Sequence, residues 1–87
     1  MSPYRIDLSP GALKDLRRIT DRRLHKRLTD AIATLSRDPR PVGSLKLVGE
    51  GDQWRIRVGE WRITCSSHDG VLVVLVVTVS PRGGAYR

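Results

Sequence analysis

Between Trp54 and Cys65 the sequence WRIRVGEWRITC alternates apolar and polar side chains on both sides of Gly59-Glu60. Alternation of this kind marks strands with one buried face, and a two-residue loop with glycine first suits a type II′ hairpin turn. Such a loop fixes the register: Val58 faces Trp61, Arg57 faces Arg62, Ile56 faces Ile63, Arg55 faces Thr64 and Trp54 faces Cys65. Trp54, Ile56, Val58, Trp61, Ile63 and Cys65 then share the face that packs on helices. Arg55, Arg57, Arg62 and Thr64 share the outward one.

The rest of the chain supplies the helices and the remaining strands. A short first strand is expected at Tyr4 to Leu8. Ser9 as N-cap and Pro10 at the first helical position start a helix, with Ala12, Leu13, Leu16 and Ile19 on one side of it. A second helix begins near Asp21 and carries Leu24, Leu28, Ala31, Ile32 and Leu35 as its buried stripe. It stops at DPRP, because proline disfavours helix in the residue before it. An extended piece is possible at Leu45 to Val48, and after the hairpin the Asp-Gly of HDG marks another tight turn. The run VLVVLVVTVS, residues 71–80, is apolar on both parities, which predicts a central strand covered on both faces. Its free edge is the natural place for the first strand.

The expected architecture is α+β, a single domain over residues 1–87. Two N-terminal helices pack on one face of a mostly antiparallel four-stranded sheet in the order β-α-α-β-β-β. Eighty-seven residues leave no room for a second core.

Like charges directly opposite on neighbouring strands destabilise a sheet. Arg57 and Arg62, with Arg55 beside them, are most simply read as a device for holding an anion, since guanidinium groups match phosphate oxygens bidentately. A solvated arginine face, screened by salt, is the alternative that this pattern leaves open. Net charge is +7, and 13 of the 16 basic residues are arginine. The excess is spread over both halves of the chain, which points to a polyanionic partner, nucleic acid first. Arg82 and Tyr86 follow the last strand and could fold back over the arginine face. Cations there would favour the phenolate of Tyr86.

Other chemistries find no support. His25, His68 and Cys65 have no metal-site spacing, no glycine-rich loop precedes a helix, and Cys65 belongs to the core-facing parity. One cysteine rules out an internal disulfide and fits a reducing cytosol. MSPYRIDLSP has no apolar signal region, and VLVVLVV is too short for a membrane-spanning helix. A cytoplasmic protein with no metal, cofactor or membrane partner is expected.

The order of elements, LKLVGEGDQWRIRVGEWRI, VLVVLVVTVS and the closing R-x-x-x-Y together resemble the RelE/ParE superfamily of bacterial type II toxin–antitoxin toxins. The RelE-like branch is favoured. The resemblance implies a ribosome-dependent mRNA endonuclease that inhibits translation without a metal, by attack of a 2′-OH on the adjacent phosphate. Carried over by position, it implies catalytic roles for Arg62, Arg82 and Tyr86 and RNA contacts from Lys46, Arg55 and Arg57. It implies a cognate RelB-like antitoxin, the ribosome and mRNA as partners. The other branch implies inhibition of DNA gyrase without nuclease chemistry. The chain departs from the pattern in carrying arginines where some members have hairpin lysines, and arginine cannot serve as a base. Trp61 stands where tyrosine is usual, which fits core filling.

Overall fold

The structure, a computed structural model, describes residues 3–47 and 53–81. In chain order the elements are β1 (Arg5–Leu8), α1 (Pro10–Arg17), α2 (Arg22–Thr34), β2 (Leu45–Lys46), β3 (Gln53–Val58), β4 (Trp61–His68) and β5 (Val73–Pro81). The strands form one mixed sheet in the order β1-β5-β4-β3-β2. As expected, β1 lies on the free edge of β5, and the pairing is parallel. The sheet has five strands rather than four. The extra one is β2, where Leu45 and Lys46 pair with Arg55 and Trp54 and the Leu47 amide donates to Gln53 at 2.9 Å.

Both helices begin where their caps dictate. The Ser9 hydroxyl accepts from the Ala12 amide at 3.0 Å with Pro10 in the first turn, and the Asp21 carboxylate accepts from Arg23 and Leu24. Helix α1 buries Ala12 and Leu16; Leu13, expected on the same side, is 40% exposed. Helix α2 ends at Thr34, ahead of DPRP, in a tightening turn where the amides of Arg37 and Asp38 both reach the Thr34 carbonyl.

The core joins Ala12, Leu16, Leu28, Ile32 and Leu35 of the helical layer to Ile56, Ile63, Cys65, Val74, Val76 and Val79 of the sheet, with Trp54, Val58 and Trp61 packed against it. All six residues assigned to the inner hairpin face are therefore in the core or on it. Truncating a fully buried member such as Leu28 to alanine costs about 2–5 kcal/mol, a large share of a small domain's stability.

Strand β5 corrects the reading of the apolar run. Val71 and Leu72 belong to the preceding turn, with Leu72 at φ +55 and its carbonyl accepting the Arg5 amide at 2.8 Å. Within the strand, the register slips between Thr64↔Thr78 and Cys65↔Val76, leaving Val77 without a partner on β4. A bulge of this kind reverses which parity faces inward. Val74 and Val76 are buried before it and Val79 after it, whereas Val73, Leu75 and Val77 are half-buried. Apolar residues on both parities thus reflect the bulge in part, and the expected cover on both faces is not formed among the described residues, because both helices pack on one side of the sheet. The bulge also frees groups for α1: the Val77 carbonyl accepts from the Ser9 hydroxyl at 2.7 Å, and the Val79 amide donates to Asp15 at 2.9 Å.

Candidate nucleic-acid interface

The hairpin forms in the expected register, with Arg57 opposite Arg62 and Arg55 opposite Thr64. Gly59 has φ +58, and it is the first residue of the turn; Glu60 does not share the positive φ, which is the type II′ signature. From α2, Arg27 reaches the turn, its Nη2 lying 3.0 Å from where a Cβ on Gly59 would be.

With both helices on the other face, the arginine side of the sheet is open among the described residues. Arg55, Arg57 and Arg62 line one cleft of about 260 Å³ together with Gly43 and Leu45. Arg57 is exposed, and Arg55 and Arg62 are half-buried. The ion pairs among the described residues lie elsewhere: Arg5–Asp7, Lys26–Asp30 and Arg40–Asp69. The three guanidinium groups therefore converge with no carboxylate to neutralise them among the described residues. Such a surface raises the local concentration of polyanions. A larger hollow of about 390 Å³ on the helical side, lined by Ile19, Leu24, Trp61 and Val79, is mainly apolar and lies away from these arginines.

Not every expected site residue joins the cleft. Lys46 pairs with Trp54, whose side chain packs against the core, so the pleat turns Lys46 to the helix side of the sheet. Its neighbour Leu45, paired with Arg55, lies on the arginine side. Arg82 and Tyr86 lie outside the described residues. Gly43 and Leu45 were missed, because their place follows only once β2 is recognised as a strand in register with Arg55.

A second missed feature braces the α2–β2 connection. Arg40 donates to both carboxylate oxygens of Asp69 at 3.2 and 3.1 Å, and the Tyr4 hydroxyl donates to the same carboxylate at 2.8 Å. The Arg40 guanidinium also lies 5.7 Å from the centre of the Trp54 ring, within cation–π range. These contacts tie the start of β1, the α2–β2 connection, β3 and the β4–β5 turn together. The hydrogen bond from Tyr4, and then that from Arg40, hold the Asp69 carboxyl below its ordinary pKa, and the bond to Asp69 raises that of Tyr4. Cys65 is fully buried, as its parity predicted, and burial pushes its thiol up to about 11.

The fold and the cleft define a small basic α+β protein with an anion-receptive sheet face. Residues 6–86 match the family model for the ParE toxin of type II toxin–antitoxin systems, parDE. The chain belongs to this family, within the RelE/ParE superfamily. Among solved structures it resembles the archaeal RelE–RelB complex from Pyrococcus horikoshii OT3, with 26% identity and a TM-score of 0.82 over 95% of this chain and 99% of that one. It is also similar to the intact E. coli RelBE toxin–antitoxin complex (26% identity, TM-score 0.78, 97% and 99% covered). The RelBE2 complex of Mycobacterium tuberculosis is a third (27%, 0.76, 92% and 99%). These RelE neighbours support the RelE-like branch. Comparison with curated proteins gives no match. No helix among the described residues is long and apolar enough to cross a membrane.

Proposed function

We propose that this toxin is a ribosome-dependent mRNA endonuclease of the RelE type. The observation that carries the reading is the cleft in which Arg55, Arg57 and Arg62 converge without a carboxylate partner among the described residues. A sheet shaped for stability alone would not set two arginines directly opposite each other.

In this reading Arg55 and Arg57 hold the RNA backbone, and Arg62 lies against the scissile phosphate, with Arg82 added from the C-terminal segment. The 2′-oxygen attacks the adjacent phosphorus, and the bond from phosphorus to the 5′-oxygen breaks. The 2′-hydroxyl gives up its proton to a base, and the departing 5′-oxygen takes one up. The products are a 2′,3′-cyclic phosphate and a 5′-hydroxyl end. Fixed cations stabilise the charge that builds on the pentacoordinate phosphorus, and bound geometry supplies much of the remaining acceleration. Arginine is not a base at neutral pH. Proton transfer therefore falls to Tyr86 or to a group of the substrate or ribosome. Lys46, exposed on the other side of the sheet, is left to contact RNA or the ribosome outside this cleft.

A cognate antitoxin of RelB type is the protein partner. The similar structures include toxin–antitoxin complexes, and an acidic antitoxin segment lying across the arginines would neutralise the cleft and close it to RNA.

The test is a translation extract programmed with a defined mRNA. Wild-type protein is expected to cut the message at codons in the ribosomal A site, and Arg62→Gln to cut it far less. Intact mRNA on active ribosomes overturns the nuclease. The ParE description of the family model favours one second reading, a gyrase inhibitor. Loss of supercoiling by purified gyrase, with uncut mRNA, would establish it instead.

A further inference from the structure

The cleft has one side that phosphate chemistry does not explain. Leu45 lines it, is 55% exposed, and stands directly opposite Arg55 on the same face of the sheet. Its backbone is held from both directions. Upstream, the Ser44 amide donates to Pro41 at 2.9 Å and Arg40 is clamped to Asp69; downstream, the Leu47 amide donates to Gln53 at 2.9 Å. Gly43, at φ +92 and with open space around it, makes the bend that delivers the chain to this position. The leucine is therefore held, more than half exposed among the described residues, on the rim of a cleft otherwise lined by three cations and a glycine, and it is the cleft's one apolar side chain among them.

We propose that Leu45 is the base-contacting wall of the cleft, packing against the face of an unstacked nucleobase whose flanking phosphates lie on Arg55, Arg57 and Arg62. The proposal rests on the reading of the cleft as an RNA site and assigns it a base contact as well as a backbone contact. Single-stranded RNA presents just this pair of chemistries, an anionic backbone and splayed bases with apolar faces. An aliphatic wall covers any base without reading its edge. It contributes affinity for base-bearing RNA rather than a sequence code. A wall fixed before the ligand arrives costs little ordering on binding.

The experiment compares two fluorescently labelled oligomers of equal length and charge, a mixed-sequence single-stranded hexaribonucleotide and an abasic ribose-phosphate hexamer. Both are titrated at low salt with the full-length wild type, Leu45→Ser and Leu45→Met. Covering about half of a leucine corresponds to roughly a fivefold preference of the wild type for the base-bearing oligomer. Leu45→Ser is expected to lose that preference while binding the abasic oligomer as wild type does, and Leu45→Met is expected to keep it. Equal wild-type affinity for the two oligomers overturns the base wall and leaves the RNA reading standing, as does a preference that survives Leu45→Ser. A serine variant weakened equally toward both oligomers overturns it too, because the leucine would then be merely structural. Binding of neither oligomer overturns the wall together with the cleft as a site for free RNA, while cleavage in the translation extract decides the ribosome-dependent reading separately.

Discussion

Arg57 and Arg62 are direct cross-strand partners, one residue in from a two-residue turn, and among the described residues neither has a carboxylate partner. The arrangement opposes stability and favours an anion. Arg57→Thr removes the like-charge pair and should stabilise the free protein by about 0.2–1 kcal/mol while weakening its binding to RNA. Thermal denaturation and RNA titration of the same variant check both halves. A variant that loses stability contradicts the repulsion, and one that binds RNA as tightly as wild type contradicts the site.

The same cleft predicts a salt dependence. Three phosphate contacts to single-stranded RNA give a slope of log affinity against log salt of about −2, or roughly −0.7 per contact. Arg55→Gln, Arg57→Gln and Arg62→Gln should each reduce its magnitude by about 0.7. Titrations at three or more salt concentrations measure this, and slopes unchanged by all three substitutions would place the contacts elsewhere.

The hairpin is legible in the sequence alone. Alternation from Trp54 to Cys65 and the glycine at position 59 specify faces and register by local rules alone, and the structure follows them pair by pair. The Ser9 cap and Pro10 likewise marked the start of α1, and the apolar stripe from Leu24 to Leu35 marked α2. What escaped depends on contacts distant in the chain. The β5 bulge at Val77 shows only where α1 supplies Ser9 and Asp15 to the freed backbone groups. Strand β2 is two residues long, too short for any periodicity, so which of Leu45 and Lys46 shares the arginine side appears only with their pairing to β3. The Arg40–Asp69 bridge spans 29 positions and carries no local pattern.

Gly59 is required by its backbone. At φ +58 a side chain costs about 1–2 kcal/mol, whereas the nearby Arg27 guanidinium is the end of a long side chain and can swing away. Gly59→Ala should therefore lose about 1–2 kcal/mol in urea denaturation, and Arg27→Ala in the same chain should not restore it. Recovery in the double variant would assign the cost to the contact instead.

The Tyr4–Asp69–Arg40 cluster sets a pH window. The Asp69 carboxyl is held below its ordinary value, chiefly by Tyr4 and next by Arg40. Its contribution is complete above the unfolded value near 4 and disappears as pH falls through the folded one. The Tyr4 hydroxyl is raised, chiefly by its bond to Asp69. Its contribution is complete below about 10 and disappears as pH rises through the folded value. The stability difference between wild type and Asp69→Asn should thus be level from about pH 5 to pH 9 and shrink at both ends. Both groups are solvent-accessible, so the difference should be small. Denaturation curves across pH measure it, and a difference that grows in acid would contradict the assignment.

Cys65 reports on the core. It is fully buried beneath the helices, and burial pushes its thiol up to about 11. At pH 8 roughly one native thiol in a thousand is ionised, against about a quarter in an unfolded chain. Alkylation by iodoacetamide should be at least about a hundredfold slower in the native protein than in urea, and it should follow the fraction unfolded as urea rises. The raised value also carries a sign for stability. The thiol favours folding equally at all pH values below about 8.5, and that contribution is lost as pH climbs through about 11, where the folded thiol ionises. Cys65→Ala, which has no thiol to ionise, should start less stable and then lose less than wild type between pH 8.5 and 10. Rapid labelling of the native protein would mean that this part of the sheet opens without global unfolding, and Cys65 would then report local opening rather than the global transition.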